Sequence, residues 1–576
     1  MNYFQKSTLQ WSLTLLLTAG FGSSALAQVV PNAGSISRDF ERAGKTLELQ
    51  KAPVVPAIKD QEPVTPPLAG GARFYVKGFK ISGATVFTDN ELQALLKDLT
   101  AKELSLSDLQ QALERLTDYY RQRDYFVARA YLPAQDVQEG IVAITILEGR
   151  VADIVVKTIG ELRLDREIVK RTMRAALPAD GVISLPPVER GLLLAYDLPG
   201  IEARATLSPG TEVGTSTLTL EVTEGPLISG TVEADNFGNR YSGQEGIGAT
   251  VSLNDPSGFG DQLALRAATT QDSHYGRISY QIPIGYSGWK LGAEYAETHY
   301  SLCCEFSALD VSGHAHQTIG RASYPIVRSR SFNLFGALSY SHQTFYNSAA
   351  NVATSDSRLN STNLGFSGNS QDLFGGGGFN NFNLSVTAGN LNLDAVIADK
   401  ALDAATARAD GNYEKATFAI SRQQQLAGDF SLRGNLAGQL ASKNLASAEK
   451  FVLGGSQGVR AYPSGEAAGD EGYLASLELA YQWLPTLEVS GFIDYGEVTL
   501  HKDPWAGANL GRPFSDNRYS LAGAGVGMRW IQPGNFFVRA TLAFPIGDNP
   551  GRSATGNDSD GRQSNARGWI QAVKQF

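Results

Sequence analysis

From about Ser229 to the last residue, Phe576, apolar and polar side chains alternate with a period of two. In Tyr473 to Trp483 the odd positions are Tyr473, Ala475, Leu477, Leu479, Tyr481 and Trp483, with Ser476, Glu478 and Gln482 between them. The next segment sets Leu487, Val489, Ile493 and Tyr495 on one face and Glu488, Ser490, Phe492 and Asp494 on the other, and Phe536 to Phe544 repeats the pattern. Successive side chains of a strand point to opposite faces, so each segment has one oily side and one wet side. A soluble sandwich alternates in the same way, but its outer edges stay unpaired. Here tight turns such as Asp255-Pro256-Ser257-Gly258, Gly285-Tyr286-Ser287-Gly288, Arg328-Ser329-Arg330 and Gln532-Pro533-Gly534 recur between longer polar stretches. Short turns at one end and long loops at the other describe a bacterial transmembrane barrel, and counting segments gives about sixteen strands, an even number. The chain closes on Phe576, although Lys574 on the same face interrupts the alternation of the last strand.

Beyond the first residues no run of about 18 apolar residues occurs, so no helix is long and oily enough to span a bilayer. Crossing by strands then requires closure, because lipid offers the backbone no hydrogen-bond partners. A content of 61 Gly, 22 Tyr and 26 Phe beside only two Cys and three Met suits such a region. The formal charge of −9 argues against a nucleic-acid partner. Cys303 and Cys304 are adjacent, in a segment read as a loop. A vicinal disulfide is open to them, but two cysteines make neither a disulfide framework nor a structural zinc site.

The N-terminal part divides into several pieces. Residues 1–27, with Lys6, an apolar stretch through Leu17 and the ending Ala25-Leu26-Ala27, have the form of a cleaved secretory signal. Within 28–50, Ile36, Phe40, Ala43 and Leu47 recur at helical spacing among charged residues. Residues 51–71 hold Pro53, Pro56, Pro63, Pro66 and Pro67 and read as an extended linker. Two small α+β units follow, at 72–150 and 151–225, each of strand-helix-helix-strand-strand order, and 226–576 is the barrel. In the first unit the expected strands are Phe74–Ile81, Tyr125–Leu132 and Ile141–Leu147, with helices starting at Asp89 and Ser107. In the second they are 154–159, 201–207 and 216–222, with helices over 165–176 and 187–197.

Two motifs stand out in the barrel. Phe451 to Pro463 is Gly-rich, lies between strands, and carries Val459-Arg460-Ala461-Tyr462. Gly-rich loops are commonly plain surface turns. Further on, Phe492-Ile493-Asp494-Tyr495-Gly496 puts Phe492 and Asp494 on the lumen side by the alternation. A carboxylate there is either hydrated or paired, and an inward-folded loop would bring Arg460 to it.

These residues resemble the transporters of two-partner secretion, the TpsB proteins, within the superfamily of POTRA-plus-barrel proteins that also holds BamA. The likeness spans nearly the whole mature chain. Val459 to Tyr462 match the superfamily's loop motif and Phe492, Asp494 and Gly496 its barrel-strand motif; Ala461 followed by Tyr462-Pro463 departs from the commoner Gly and looks like the secretion branch. The resemblance implies a monomeric outer-membrane protein with two periplasmic POTRA domains, an N-terminal helix plugging the pore, and Arg460 paired with Asp494, with Tyr462 and Phe492 packed around them. It implies a large, β-helical secreted exoprotein as the partner, outer-membrane lipid around the barrel, and neither cofactor nor metal. Periplasmic POTRA domains would capture the unfolded cargo by adding its strands to their sheet edges.

Three other functions compete with export. An assembly factor inserting other barrels shares the architecture but usually carries more docking units. A passive porin needs no periplasmic units. An outer-membrane hydrolase needs a nucleophile with a matched histidine, and no nucleophile motif surrounds His274, His299, His314, His316, His342 or His501.

Overall fold

A computed structural model describes residues 30–48, 58–60, 73–137, 139–508 and 516–576. The expected signal segment 1–27 and most of the 51–71 linker lie outside them. Sixteen strands among the described residues, from Ile228–Asp235 to Arg567–Gln575, form one closed antiparallel barrel. The first and last strands complete the ring, with Thr231–Asp235 against Gln571–Gln575. Gly230 and Phe576 extend the seam by exchanging backbone hydrogen bonds of 2.9 and 3.0 Å. Closure pairs the strand backbones around the full circumference, the condition lipid imposes.

The alternation sorts side chains as the period of two requires. Ile493 and Tyr495 are exposed on the outside, while Phe492 and Asp494 are buried inside. Exposed Trp289, Tyr481, Trp483 and Trp530 ring the periplasmic end, and Tyr295, Tyr340 and Tyr495 stand towards the other end. Two aromatic girdles bounding an apolar band mark the two membrane interfaces. The last strand keeps the same phase: Trp569, Gln571 and Val573 are buried, and Ile570 and Phe576 face out. Lys574 also faces out, and its ammonium donates to Asn535 in the neighbouring turn. Its aliphatic stem thus covers the wall while the charge reaches the interface.

In the first α+β unit Ile141–Leu147 lies between Gly78–Ser82 and Arg129–Tyr131. Two helices pack over this sheet, Asp89–Ala94 and Leu106–Arg121, each opened by a capping box, from Thr88 with Glu91 and from Ser105 with Asp108. Leu92, Leu96, Leu116, Tyr120 and Ile144 form its core. The expected strand over Tyr125–Leu132 shortens to Arg129–Tyr131, because the Tyr125 amide donates back to the Tyr120 carbonyl and holds a turn there. Lys102–Leu104 pairs with Phe74–Val76 as a strand that its two charged residues do not announce. Glu148 is buried where this unit ends, accepting from the Thr85 and Val86 amides at 2.6 and 2.8 Å and from the Tyr120 hydroxyl at 2.9 Å. Burial raises its carboxyl, but a hydrogen bond from the Thr85 hydroxyl together with these three outweighs that and holds it below the usual carboxylate range.

The second unit orders Ile201–Pro209, Thr215–Glu224 and Arg150–Ile159 under the helices Arg166–Ala176 and Leu185–Tyr196. Linker residues Ile58–Asp60 add a fourth, parallel strand along Ala205–Leu207. This unit is fixed to the barrel's periplasmic turns by side-chain bonds. Arg328 grips Asp197 through two hydrogen bonds of 2.9 and 2.7 Å, Lys290 donates to the Asp197 carbonyl at 2.8 Å, and Arg190 donates to the Pro325 carbonyl at 2.8 Å. Replacing Asp197 by Ala leaves Arg328 without its carboxylate. Spin labels on Arg204 and Gly534 should then give a broader distance distribution, with the heat-modifiable gel mobility of the barrel unchanged.

Candidate functional site

The long connection between the strands Phe430–Ala441 and Glu471–Leu484 folds into the lumen. Phe451–Val452 pairs with Ala468–Gly469 to make a narrow hairpin stem, and its tip carries the Gly-rich motif. The tip is tightly wound, with the Val459 amide donating to the Leu453 carbonyl at 2.7 Å and the Tyr462 amide to the Val459 carbonyl at 3.1 Å. A side chain at Gly458 would put its Cβ 1.8 Å from the Leu453 carbonyl oxygen, so the turn admits glycine alone. The wall is cut to match. Cβ atoms at Gly496 and Gly523 would lie 2.6 Å from Leu453 and from Ala461, so these strand glycines form the trough in which the loop rests.

The motif residues meet there. Arg460 donates from Nε and Nη2 to the two oxygens of Asp494 at 2.9 and 2.8 Å, and its backbone amide adds a third bond to the same carboxylate at 3.1 Å. The guanidinium lies 3.3 Å from the centre of the Phe492 ring, a stacking contact that attracts a cation. Asp494 is fully buried, so water does not share its charge. Val459, Ala461 and Tyr462 pack with Leu453, Phe492 and Val498 in one apolar cluster that shields the pair.

Several partners escape the motif reading. Arg460 also donates to Glu478 at 2.9 Å and to Ser476 at 3.2 Å, and Ser476 donates to Asp494 at 2.8 Å. Arg433 bridges Glu478 and Glu488 at 3.1 and 2.8 Å, which extends the network along the wall. Ser476, Glu478 and Glu488 occupy polar, inward phases of their strands, and that phase was the available signal. Trp569 donates its indole N–H to the Arg460 carbonyl at 2.7 Å, tying the loop to the last strand. Glu466, on the returning arm of the loop, accepts from Asn549 at 3.0 Å and from the Ser559 amide at 2.7 Å, both in the loop before the last strand. Burial raises the Glu466 carboxyl above its usual range, and those bonds offset the effect only in part.

The N-terminal helix Ala33–Glu48 lies inside the barrel beside this loop. Its Ala33 amide donates to Asn347 at 2.9 Å and Phe40 stacks on Tyr275 with ring centres 5.3 Å apart, both on the inner wall. Arg38 donates to the Ser447 carbonyl at 2.6 Å, and Ser447 donates to Asn32 at 2.8 Å. Helix and loop therefore share one junction at the root of the loop, which spacing alone does not disclose. Cys303 and Cys304 are joined as a vicinal disulfide in the turn between Trp289–Ser301 and Ser312–Arg328.

A closed barrel carrying paired α+β units at its periplasmic end and an inward loop locked on the wall is the architecture of an outer-membrane POTRA transporter. Residues 214–530 match the haemolysin secretion/activation protein family ShlB/FhaC/HecB, and 74–149 match the ShlB-type POTRA domain. The chain belongs to that family of two-partner secretion transporters and resides in the outer membrane with its POTRA domains in the periplasm. It is 28% identical over 564 residues, 96% of each chain, to the heme/hemopexin transporter protein HuxB of Haemophilus influenzae Rd. The outer membrane transporter CdiB of Dickeya dadantii is 26% identical over 503 residues, 83% of each chain. Among solved structures, CdiB from Escherichia coli superposes with a TM-score of 0.71 at 19% identity, over 95% of this chain and 99% of that one, a likeness of fold.

Removing one member of a buried ion pair strands the other, at about 3 kcal/mol or more. Asp494→Ala should therefore accelerate amide hydrogen exchange across Gly454–Tyr462 roughly a hundredfold, while the strands of the barrel keep their protection.

Proposed function

We propose that Arg460 and Asp494 form a latch holding the loop in the lumen, that Ala33–Glu48 is a stopper beside it, and that one chain, acting as a monomer, exports a large β-helical exoprotein past both. The observation that carries this reading is the shared junction. Arg38 of the helix is bonded to the backbone of Ser447, on the same loop whose tip Arg460 fastens to the wall. Displacing either element removes contacts from the other.

Capture begins in the periplasm. An unfolded segment adds to a sheet edge through backbone hydrogen bonds, which bind many sequences in one register and need no cofactor. Gly78–Ser82 and Arg150–Ile159 lie at the edges of their sheets among the described strands. The second unit is clamped to the turns beneath the barrel by Asp197, so a strand held there starts close to the pore mouth. Folding of the cargo outside supplies the direction, since folded protein does not return through a lumen that passed an extended chain. HuxB, similar over 96% of its length, is named for heme and hemopexin transport. A secreted haem- or hemopexin-binding exoprotein is the cargo class we assign.

Arg460→Ala should abolish appearance of the cognate exoprotein in the medium while the barrel still assembles, as judged by heat-modifiable mobility. Undiminished secretion would remove the latch. Deleting Ala33–Glu48 should raise single-channel conductance in planar bilayers severalfold, because water then fills the vacated lumen. An unchanged conductance would remove the stopper.

A further inference from the structure

Of the six histidines, all but His501 point outward from four neighbouring strands of the barrel: His274 on Ser273–Ile284, His299 on Trp289–Ser301, His314 and His316 on Ser312–Arg328, and His342 on Phe332–Ala349. Their strand neighbours Tyr275, Tyr300, Ala315 and Phe345 face the lumen and are buried, which fixes the phase. His274, His299 and His314 are directly opposite one another across three strands. The rings of His314 and His316 are 5.1 Å apart, and His314 stacks on Tyr346 at 5.0 Å.

Their height on the wall is as informative as their clustering. Outward residues on the second of these strands run Trp289, Leu291, Ala293, Tyr295, then Glu297 and His299. On the fourth, Leu338 and Tyr340 precede His342. In both, polarity begins immediately beyond the outer aromatic girdle. The ten residue-to-residue steps from Trp289 to His299, on a tilted strand, rise roughly 25 Å, about the height of the apolar band of such barrels. The histidines therefore stand at the level of the outer headgroups, on the outside of the same wall that holds the N-terminal helix within.

We propose that this band is a binding site for the phosphorylated headgroups of outer-leaflet glycolipid, engaged as its imidazoles take up protons. An imidazole ordinarily titrates near pH 6.5, and its charged form donates from both nitrogens to phosphate oxygen. The groups facing the band are few. Glu297 lies between His299 and His316 and bonds to His299, Asp272 borders His274 and His299 in the adjoining turn, and Asp356 and Arg358 flank it from the strand Val352–Asp372. Tyr295 and Tyr346 complete its border, and His342 is held by Asn360 at 2.7 Å. Arg358 is a permanent cation, so phosphate has one fixed anchor, and the titrating imidazoles add the remaining charge. Among the described residues no cluster of three or more His, Cys, Asp or Glu is placed to hold a metal ion.

The test titrates purified full-length protein in neutral detergent with bisphosphorylated lipid A at about pH 5.5 and about pH 7.5 in the presence of a chelator, reading bound lipid by native mass spectrometry. Affinity should rise by about tenfold at the lower pH, and His299→Asn/His314→Asn/His316→Asn should lose that rise, as should lipid A stripped of phosphate. His501→Asn should behave as the parent chain. If the triple variant fails to fold, His274→Asn/His342→Asn should show a reduced rise. A parent chain whose affinity is the same at both pH values, a rise that survives in the triple variant, or one that appears only when the chelator is replaced by a divalent cation would overturn the proposal.

Discussion

A peptide group in hydrocarbon has no water to bond, and from this single constraint the rest of the molecule follows. The strands close through the short seam between Thr231–Asp235 and Gln571–Gln575, leaving no open edge in lipid. Closure at this strand number encloses a lumen wide enough for a helix and a hairpin. It also makes an inner wall on which polar and charged groups are hidden from bulk solvent. Asp494 is such a group, and a buried carboxylate must find a cation. The wall thus creates the need that Arg460 fills.

An ionic fastening suits the releasable latch we propose. Taking Arg460 and Asp494 out of water carries a desolvation penalty that offsets much of their mutual attraction. When both partners are rehydrated together the penalty is recovered, so concerted opening is far easier than loss of either partner singly. Geometry remains demanding even though the net energy is modest. The fork of Arg460 spans both oxygens of Asp494 and also reaches Glu478, an arrangement that a lysine point charge does not reproduce. The glycines at 496 and 523 add steric selectivity, since only a wall with missing side chains admits the loop at this depth.

How much of this was legible depends on the range of the interaction. Period-two alternation placed Asp494 and Phe492 inside and Ile493 outside, because strand phase is local and side-chain direction follows from it. The same rule put Glu478 and Ser476 on the inner face, but nothing in one strand says which loop will reach them. Lys102–Leu104 went unrecognised because pairing with Phe74–Val76, and no hydrophobic pattern, makes it a strand. Ile58–Asp60 sits in a Pro-rich stretch and becomes a strand by borrowing the edge of Ala205–Leu207. Contacts of Arg38 with Ser447, and of Glu466 with Asn549 and Ser559, join segments far apart in sequence and leave no local trace. Lys574 looked like a break in the last strand because a charge stands on its outward face, and only the contact with Asn535 shows that the cation reaches the interface.

The pairing of Ile58–Asp60 with the second POTRA domain sets the reach of the helix. Nine residues separate Glu48 from Ile58, and even fully stretched they extend only about 30 Å. If Ala33–Glu48 is the stopper we propose and is expelled into the periplasm, it stays on a short leash beside the pore it left. Its return is a first-order event governed by an effective concentration in the millimolar range, ahead of a freely diffusing competitor at micromolar levels. Resealing in the export cycle we propose then follows from the tether itself.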